Sequence, residues 1–323
     1  MTEPVNARRR GPLAAISVVF AILICLNAAL PARADLRVAV SIPPLHSLAA
    51  QVMAGRGAPD LIIPGGVSPH GFALAPSQAQ LLADAKVVIW IGPSMEAALA
   101  KPIAALAAEA RVLTLSKAPN LIRHPARRLG DPHAHHDGHD HGANAGLGGV
   151  MEDPHYWLDP ENAKVMLDAI AGVLGNADPA GRAAYAANAA AARARIDAIS
   201  EDFQRRLAPL QGRSFVVFHD AYQYLETRFG LIASGVLAVD PGHPVGARHV
   251  AELREKIRRL DVRCLFTEPQ FPSRLIKTLI DGTAARTAVL DPLGSDLPPG
   301  PDLYAAMMTA NLEAFAECLG RHP

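Results

Sequence analysis

The chain has 323 residues, half of them apolar, with 31 basic and 31 acidic side chains and so no formal net charge. That balance, with no basic face and no aromatic interleaving, excludes nucleic acid as a partner. The length is enough for two modest cores or one large one.

The chain opens on Arg8-Arg9-Arg10, an apolar run from Leu13 to Leu30, and Ala32-Arg33-Ala34. This is the order of a secretory signal peptide, and it predicts cleavage after Ala34. A membrane anchor is the alternative, because about 18 apolar residues just span a bilayer. The A-x-A site closing the run favours cleavage. A lipid anchor on Cys25 is disfavoured, since Leu23 and Ile24 stand where small residues are needed. Removing 34 of the 323 residues leaves 289, with 27 basic and 30 acidic side chains. Two cysteines remain, Cys264 and Cys318. An even count in an exported chain suggests one disulfide tying the last helix to an earlier strand, with two buried thiols as the other reading.

Residues 35–178 predict a first α/β lobe. Leu36 to Ser41 reads as a strand, and Pro43-Pro44 leads into a helix through Met53. Leu61 to Ile63 is a second strand and Pro76 to Ala83 a helix opened by its proline. Ala85 to Ile91 is a strand apolar on both faces, Glu96 to Ala110 a helix, and Val112 to Leu115 a strand. Residues 129–149 are Gly, Asp, Ala and His without apolar periodicity and predict a disordered loop. Asn162 to Leu174 returns to helix.

Residues 179–210 predict a linking helix, Gly181 to Leu207, reaching about 40 Å at 1.5 Å per residue. Residues 211–323 repeat the alternation as a second lobe. Its strands are Ser214 to Phe218, Ile232 to Val236, Cys264 to Thr267 and Ala288 to Leu290. Its helices are Ala221 to Phe229, Ala247 to Leu260, Ser273 to Ala285 and Leu303 to Leu319. The fold class is therefore α/β: two lobes, each with a mainly parallel four-stranded sheet flanked by helices, joined by one long helix. Ligands gather beyond the carboxyl ends of such strands, so the cleft between the lobes is where a site belongs.

Three histidines sit where strands or turns deliver side chains to that cleft. His70 lies in Ser68-Pro69-His70-Gly71-Phe72, a turn set by its proline and glycine. His155 lies in Asp153-Pro154-His155-Tyr156-Trp157-Leu158-Asp159-Pro160, and His219 ends the apolar strand Phe215 to Phe218. Each alone reads as an ordinary structural histidine. Together they form a zinc ligand set with one position left for water, a carboxylate or a released ligand. Asp291, in Leu290-Asp291-Pro292-Leu293, is the candidate fourth group, with a capping or hinge role as its alternative. His133, His135, His136, His139 and His141, laced with Asp131, Asp137 and Asp140, form a secondary, weaker metal-attracting tract. His46, His124, His243, His249 and His322 lack such a setting and read as surface residues.

Four segments carry a resemblance to a known family: Ser41-Ile42-Pro43-Pro44-Leu45, Pro69-His70-Gly71-Phe72 with Pro76-Ser77-Gln78, Asp153 to Pro160, and Phe218-His219-Asp220-Ala221-Tyr222. The chain resembles the zinc-binding, ZnuA-like members of the cluster A-I solute-binding family, which serve bacterial ABC importers. The resemblance spans the whole mature chain, including the histidine-rich insertion and the cysteine pair, which is bridged in similar zinc proteins. It implies a periplasmic, rigid two-lobe protein, not an enzyme, that catches Zn2+ between its lobes and delivers it to a membrane permease. His70 and His155 would be ligands from the first lobe and His219 from the second. Manganese-binding relatives place glutamate at the third position and an aspartate at the fourth, so His219 favours zinc. Some zinc relatives carry a glutamate just before the first histidine; this chain has Pro69, which leaves the fourth ligand open between Asp291 and water. The protein is expected to be a monomer.

Two rival functions remain at this point. Three histidines and an open position also describe a zinc hydrolase, although no H-E-x-x-H helix and no evident general base are present. A periplasmic zinc buffer with the histidine tract as its reservoir is the other.

Overall fold

The computed structural model describes residues 36–127, 151–238, 246–270 and 274–320. The expected signal peptide and the five tract histidines lie outside them, as do His243 and His322. Among the described residues, no helix is long and apolar enough to cross a membrane.

The first sheet contains β1 (Val38–Val40), β2 (Asp60–Leu61), β3 (Val87–Trp90) and β4 (Arg111–Thr114). Their order is β2-β1-β3-β4 and all pairs are parallel, with Ala39 opposite Asp60 and Val40 opposite Ile89. The second sheet has β5 (Phe215–His219), β6 (Gly235–Ala238), β7 (Cys264–Thr267) and β8 (Arg286–Val289), in the order β6-β5-β7-β8 and again parallel. Both sheets thus reverse direction at one place, between β1 and β3 and between β5 and β7. The connections from the two neighbouring strands leave to opposite sides there, which opens a crevice at the strands' carboxyl ends.

In the first sheet this crevice is filled from within. Glu96 is fully buried. Its carboxyl accepts hydrogen bonds from the Ser41 hydroxyl at 2.6 Å, from the Ile91 amide at 3.3 Å and from the Gly92 amide at 3.0 Å. Ser41 follows β1, and Ile91 and Gly92 follow β3. Burial pushes this carboxyl up to about 7, against the opposing pull of those hydrogen bonds.

The helices are α1 (Pro43–Val52), α2 (Pro76–Asp84), α3 (Ala97–Leu106), α4 (Pro160–Ala177), α5 (Arg182–Leu207), α6 (Gln223–Phe229), α7 (Ala247–Arg259), α8 (Arg274–Ile280) and α9 (Leu303–Gly320). Helix α8 stops sooner than its sequence suggests. Gly282 takes a positive φ of 71° behind it, and the Thr283 hydroxyl donates to the Ile280 carbonyl.

The long helix α5 is mostly polar and alanine-rich, yet Tyr185, Ala189, Ala192, Ile196, Phe203 and Leu207 are buried along it. Their spacings of three, four and seven residues draw one stripe. That stripe packs on α1 and α4 of the first lobe and on α6 and α9 of the second. Helix α9 also returns to α1, where the Ser47 hydroxyl donates to the Pro301 carbonyl and accepts from the Tyr304 amide. The main apolar core therefore runs without a break from β1 through α5 to β7 and α9. A smaller core lies between β5, β6 and α7.

Polar ties reinforce this union. Arg228 of α6 grips the buried Asp159 with two hydrogen bonds of 2.9 and 2.8 Å. Arg127 reaches Asp220 and Glu226, and the Tyr224 hydroxyl donates to the Asp153 carbonyl. A disulfide joins Cys264 of β7 to Cys318 of α9 across a separation of 54 residues.

His46 departs from its expected surface position. It lies in the buried face of α1, with Nε2 3.0 Å from the Pro59 carbonyl, and burial holds its pKa below the usual imidazole value. The His124 ring lies 4.7 Å from that of the buried Tyr224, tilted by 48°, and a ring nitrogen of His249 lies 2.9 Å from the Val236 carbonyl.

Candidate metal centre

Each of the three histidines is delivered by a different local device. Pro69 opens a single 3-10 turn, Pro69–Gly71, that carries His70. Proline sets this turn; Gly71 has no left-handed φ, and a Cβ there would meet nothing within 4 Å. His155 precedes the turn Tyr156–Leu158, whose backbone passes directly into α4 through the capping carboxylate of Asp159. His219 is the last residue of β5, at the crevice of the second sheet.

The folded chain brings the three imidazoles together. Their ring centroids are 5.4 Å apart for His70 and His155, 5.3 Å for His70 and His219, and 4.8 Å for His155 and His219. One ligand nitrogen from each lies within 4.8 Å of the others, a group that could hold a metal ion. Tetrahedral zinc at about 2.0–2.1 Å from each nitrogen sets them about 3.4 Å apart, so an ion needs side-chain shifts of about an ångström. His155 and His219 are each 4% exposed. The cavity between the rings is about 10 Å³, the room of one water-sized sphere.

Burial, with His219 beside it, holds the pKa of His155 well below the ordinary imidazole value, so the ring is neutral at physiological pH and its nitrogen lone pair is available. Asp153 orients it: one carboxylate oxygen accepts from the His155 amide at 3.0 Å and lies 2.7 Å from Nδ1. Nδ1 then carries the proton and Nε2 faces the centre. Glu268, the residue after β7, stands beside His219. Its Oε2 is 3.5 Å from His219 Nδ1, and its Oε1 accepts from the Tyr222 hydroxyl at 3.2 Å. Trp157 closes one wall, 5.4 Å from the His155 ring, and its indole N–H donates to the Pro292 carbonyl across the cleft.

Asp291 is placed differently from the other three. Its carboxylate accepts from the backbone amides of Leu293 at 2.9 Å, Gly294 at 3.0 Å and Ser295 at 2.5 Å. These bonds cap the turn after β8, and Asp291 is not part of the histidine group. A Cβ on Gly65 would come within 2.5 Å of the Ser295 carbonyl, so glycine allows the loop leading to His70 to close on this turn.

Sequence reasoning missed Asp153 as an orienting group, Glu268 beside His219, and Gln270, which lines the cavity. The signal for Glu268 was positional. It follows the strand next to the one that ends in His219, on the other side of the reversal.

Two parallel-sheet lobes, a long helix packed on both and a buried histidine cluster able to hold one ion define a metal-type solute-binding protein. Comparison with known proteins places it further. The sequence matches the periplasmic zinc-uptake complex component A family, ZnuA, over residues 38–318, and the chain belongs to that family. The high-affinity zinc uptake system protein ZnuA of Brucella suis biovar 1 is 41% identical over 310 residues, covering 88% of this chain and 92% of the relative. The protein of the same name from Paracoccus denitrificans is 36% identical over 312 residues, covering 91% and 95%. A crystal structure of ZnuA superposes with a TM-score of 0.73 at 22% identity, covering 88% of this chain and 99% of that one, and so shares the fold.

Proposed function

We propose that this protein captures Zn2+ in the periplasm on His70, His155 and His219 and delivers it to the permease of an ABC importer. The observation carrying this reading is the convergence of three imidazoles from separate parts of the chain on a space for one ion. Relatives at 41% and 36% identity bear the name of high-affinity zinc uptake proteins. Three nitrogen ligands suit zinc better than manganese, which favours oxygen donors. The fourth position belongs to a water or another exchangeable group, since the backbone amides engage Asp291. The amino-terminal signal supports export and cleavage after Ala34, and we read the mature protein as a monomer with lobes near residues 35–178 and 211–323. The tract from His133 to His141 serves as a weaker, faster-exchanging site.

A hydrolase needs a substrate beside the metal and a free base. Here the carboxylates beside the histidines, Asp153 and Glu268, face imidazole Nδ1 atoms. The test is competition titration with a zinc chelator. One tight zinc should survive deletion of residues 131–143 and should weaken by about 100-fold or more in His219→Ala, since even an orienting partner is worth 10–100-fold. Loss of the tight site on deleting the tract, or equal effects of His219→Ala and His139→Ala, would overturn the assignment. A pure buffer would also leave growth on scarce zinc unchanged when the gene is lost.

A further inference from the structure

Gln270 lies two residues beyond Glu268 on the wall of the histidine cavity. Its amide nitrogen donates to Asp291 Oδ1 at 3.2 Å and to the Ser295 hydroxyl oxygen at 2.5 Å. The Ser295 hydroxyl in turn donates to the same Asp291 oxygen at 3.2 Å. A carboxylate only accepts hydrogen bonds, so this side of the amide must be the NH2. The carbonyl oxygen Oε1 is then the atom Gln270 offers the cavity. It is buried and has no hydrogen-bond partner among the described residues. A buried acceptor left unsatisfied destabilises the fold, and such an atom in a ligand cavity calls for a donor that arrives with the ligand.

We infer that Gln270 is a specificity-determining positioning residue whose Oε1 accepts a hydrogen bond from the water on the fourth position of the bound metal. This rests on the three-histidine reading above. Asp291, held by the turn, acts as the anchor that aims Gln270. A neutral acceptor facing the open position keeps the donor set at three nitrogens and one water, which suits zinc. A carboxylate there would add the hard, charged oxygen that manganese prefers.

The experiment compares Gln270→Leu and Gln270→Glu with the wild type, using Zn2+, Mn2+ and Co2+ alone as probes. Gln270→Leu is expected to weaken zinc about tenfold, the lower end for loss of an outer partner, and to shift the visible bands of the cobalt form, while the melting temperature of the metal-free protein reports separately on the lost bonds to Asp291 and Ser295. Gln270→Glu cannot donate to Asp291, so its carboxylate turns to the cavity and the zinc-over-manganese preference falls. Should Gln270→Leu fold poorly, Gln270→Glu carries the test by itself. Zinc affinity within twofold of wild type and an unchanged cobalt spectrum in Gln270→Leu, or an unchanged metal preference in Gln270→Glu, overturns the inference. His219→Ala run alongside separates the two levels: tight zinc retained there refutes the histidine centre itself, whatever Gln270 does.

Discussion

Replacing Asp153 by alanine tests whether the carboxylate behind His155 works for the metal or only for the fold. The change removes the acceptor of two hydrogen bonds, from the His155 amide at 3.0 Å and from Nδ1 at 2.7 Å. The second of these fixes which nitrogen carries the proton. Without it the ring can take the other tautomer or rotate, and the ligand nitrogen is no longer held toward the centre. A hydrogen bond to a charged group contributes about 1.5–3 kcal/mol, which matches the 10–100-fold loss in metal affinity when an orienting partner is removed. Asp153→Ala is therefore expected to weaken zinc by about 30-fold. Asp153→Asn, which keeps an acceptor oxygen without the charge, should lose less than alanine does. Chelator competition at pH 7.5 measures both, and the melting curve of each metal-free variant reports separately on the fold. An Asp153→Ala protein that folds normally and binds zinc within twofold of wild type refutes the reasoning.

Two further outcomes concern stability of the metal-free protein. Native Glu96 keeps its proton up to about pH 7, whereas in the unfolded chain the group ionises near its ordinary 4.5. The native state therefore binds the extra proton between those values and loses stability as pH rises through that window, by about 3 kcal/mol in all. Glu96→Gln cannot titrate, so urea unfolding from pH 4.5 to 8 should show a flatter profile for the variant; parallel profiles would contradict this. Cys264 and Cys318 close a loop of 54 residues, so reducing the bond or changing both to alanine should cost about 4 kcal/mol. Urea midpoints for the oxidised and reduced protein measure it, and equal midpoints would exclude that contribution.

The alternation of apolar strands and amphipathic helices was legible in the sequence because a parallel sheet covered on both faces leaves runs such as Val87-Val88-Ile89-Trp90, bounded by prolines and glycines. The long helix was legible from 26 residues without a breaker. The three histidines stood out because each follows a strand or turn, a pattern that needs no distances. Their orienting groups did not stand out. An aspartate two residues before a histidine has no periodicity, and Glu268 and Gln270 gain meaning only when β5 and β7 pair side by side. Asp291 shows the limit from the other side: a carboxylate at a strand end reads alike as ligand or turn cap, and the backbone amides of Leu293, Gly294 and Ser295 from which it accepts have no mark in the sequence. His46 was misread because α1 is buried over nearly its whole surface, so even its polar residues His46 and Ser47 face protein.

The two sheets share one strand order, and so each provides one crevice suited to a ligand. In the first, the protein's own Glu96 stands in the place of a guest, complete with a hydroxyl and two backbone amides that donate to it. Two crevices of one topology thus differ by their side chains: one is filled by a residue of the chain itself, and the other is flanked by His219 and Glu268.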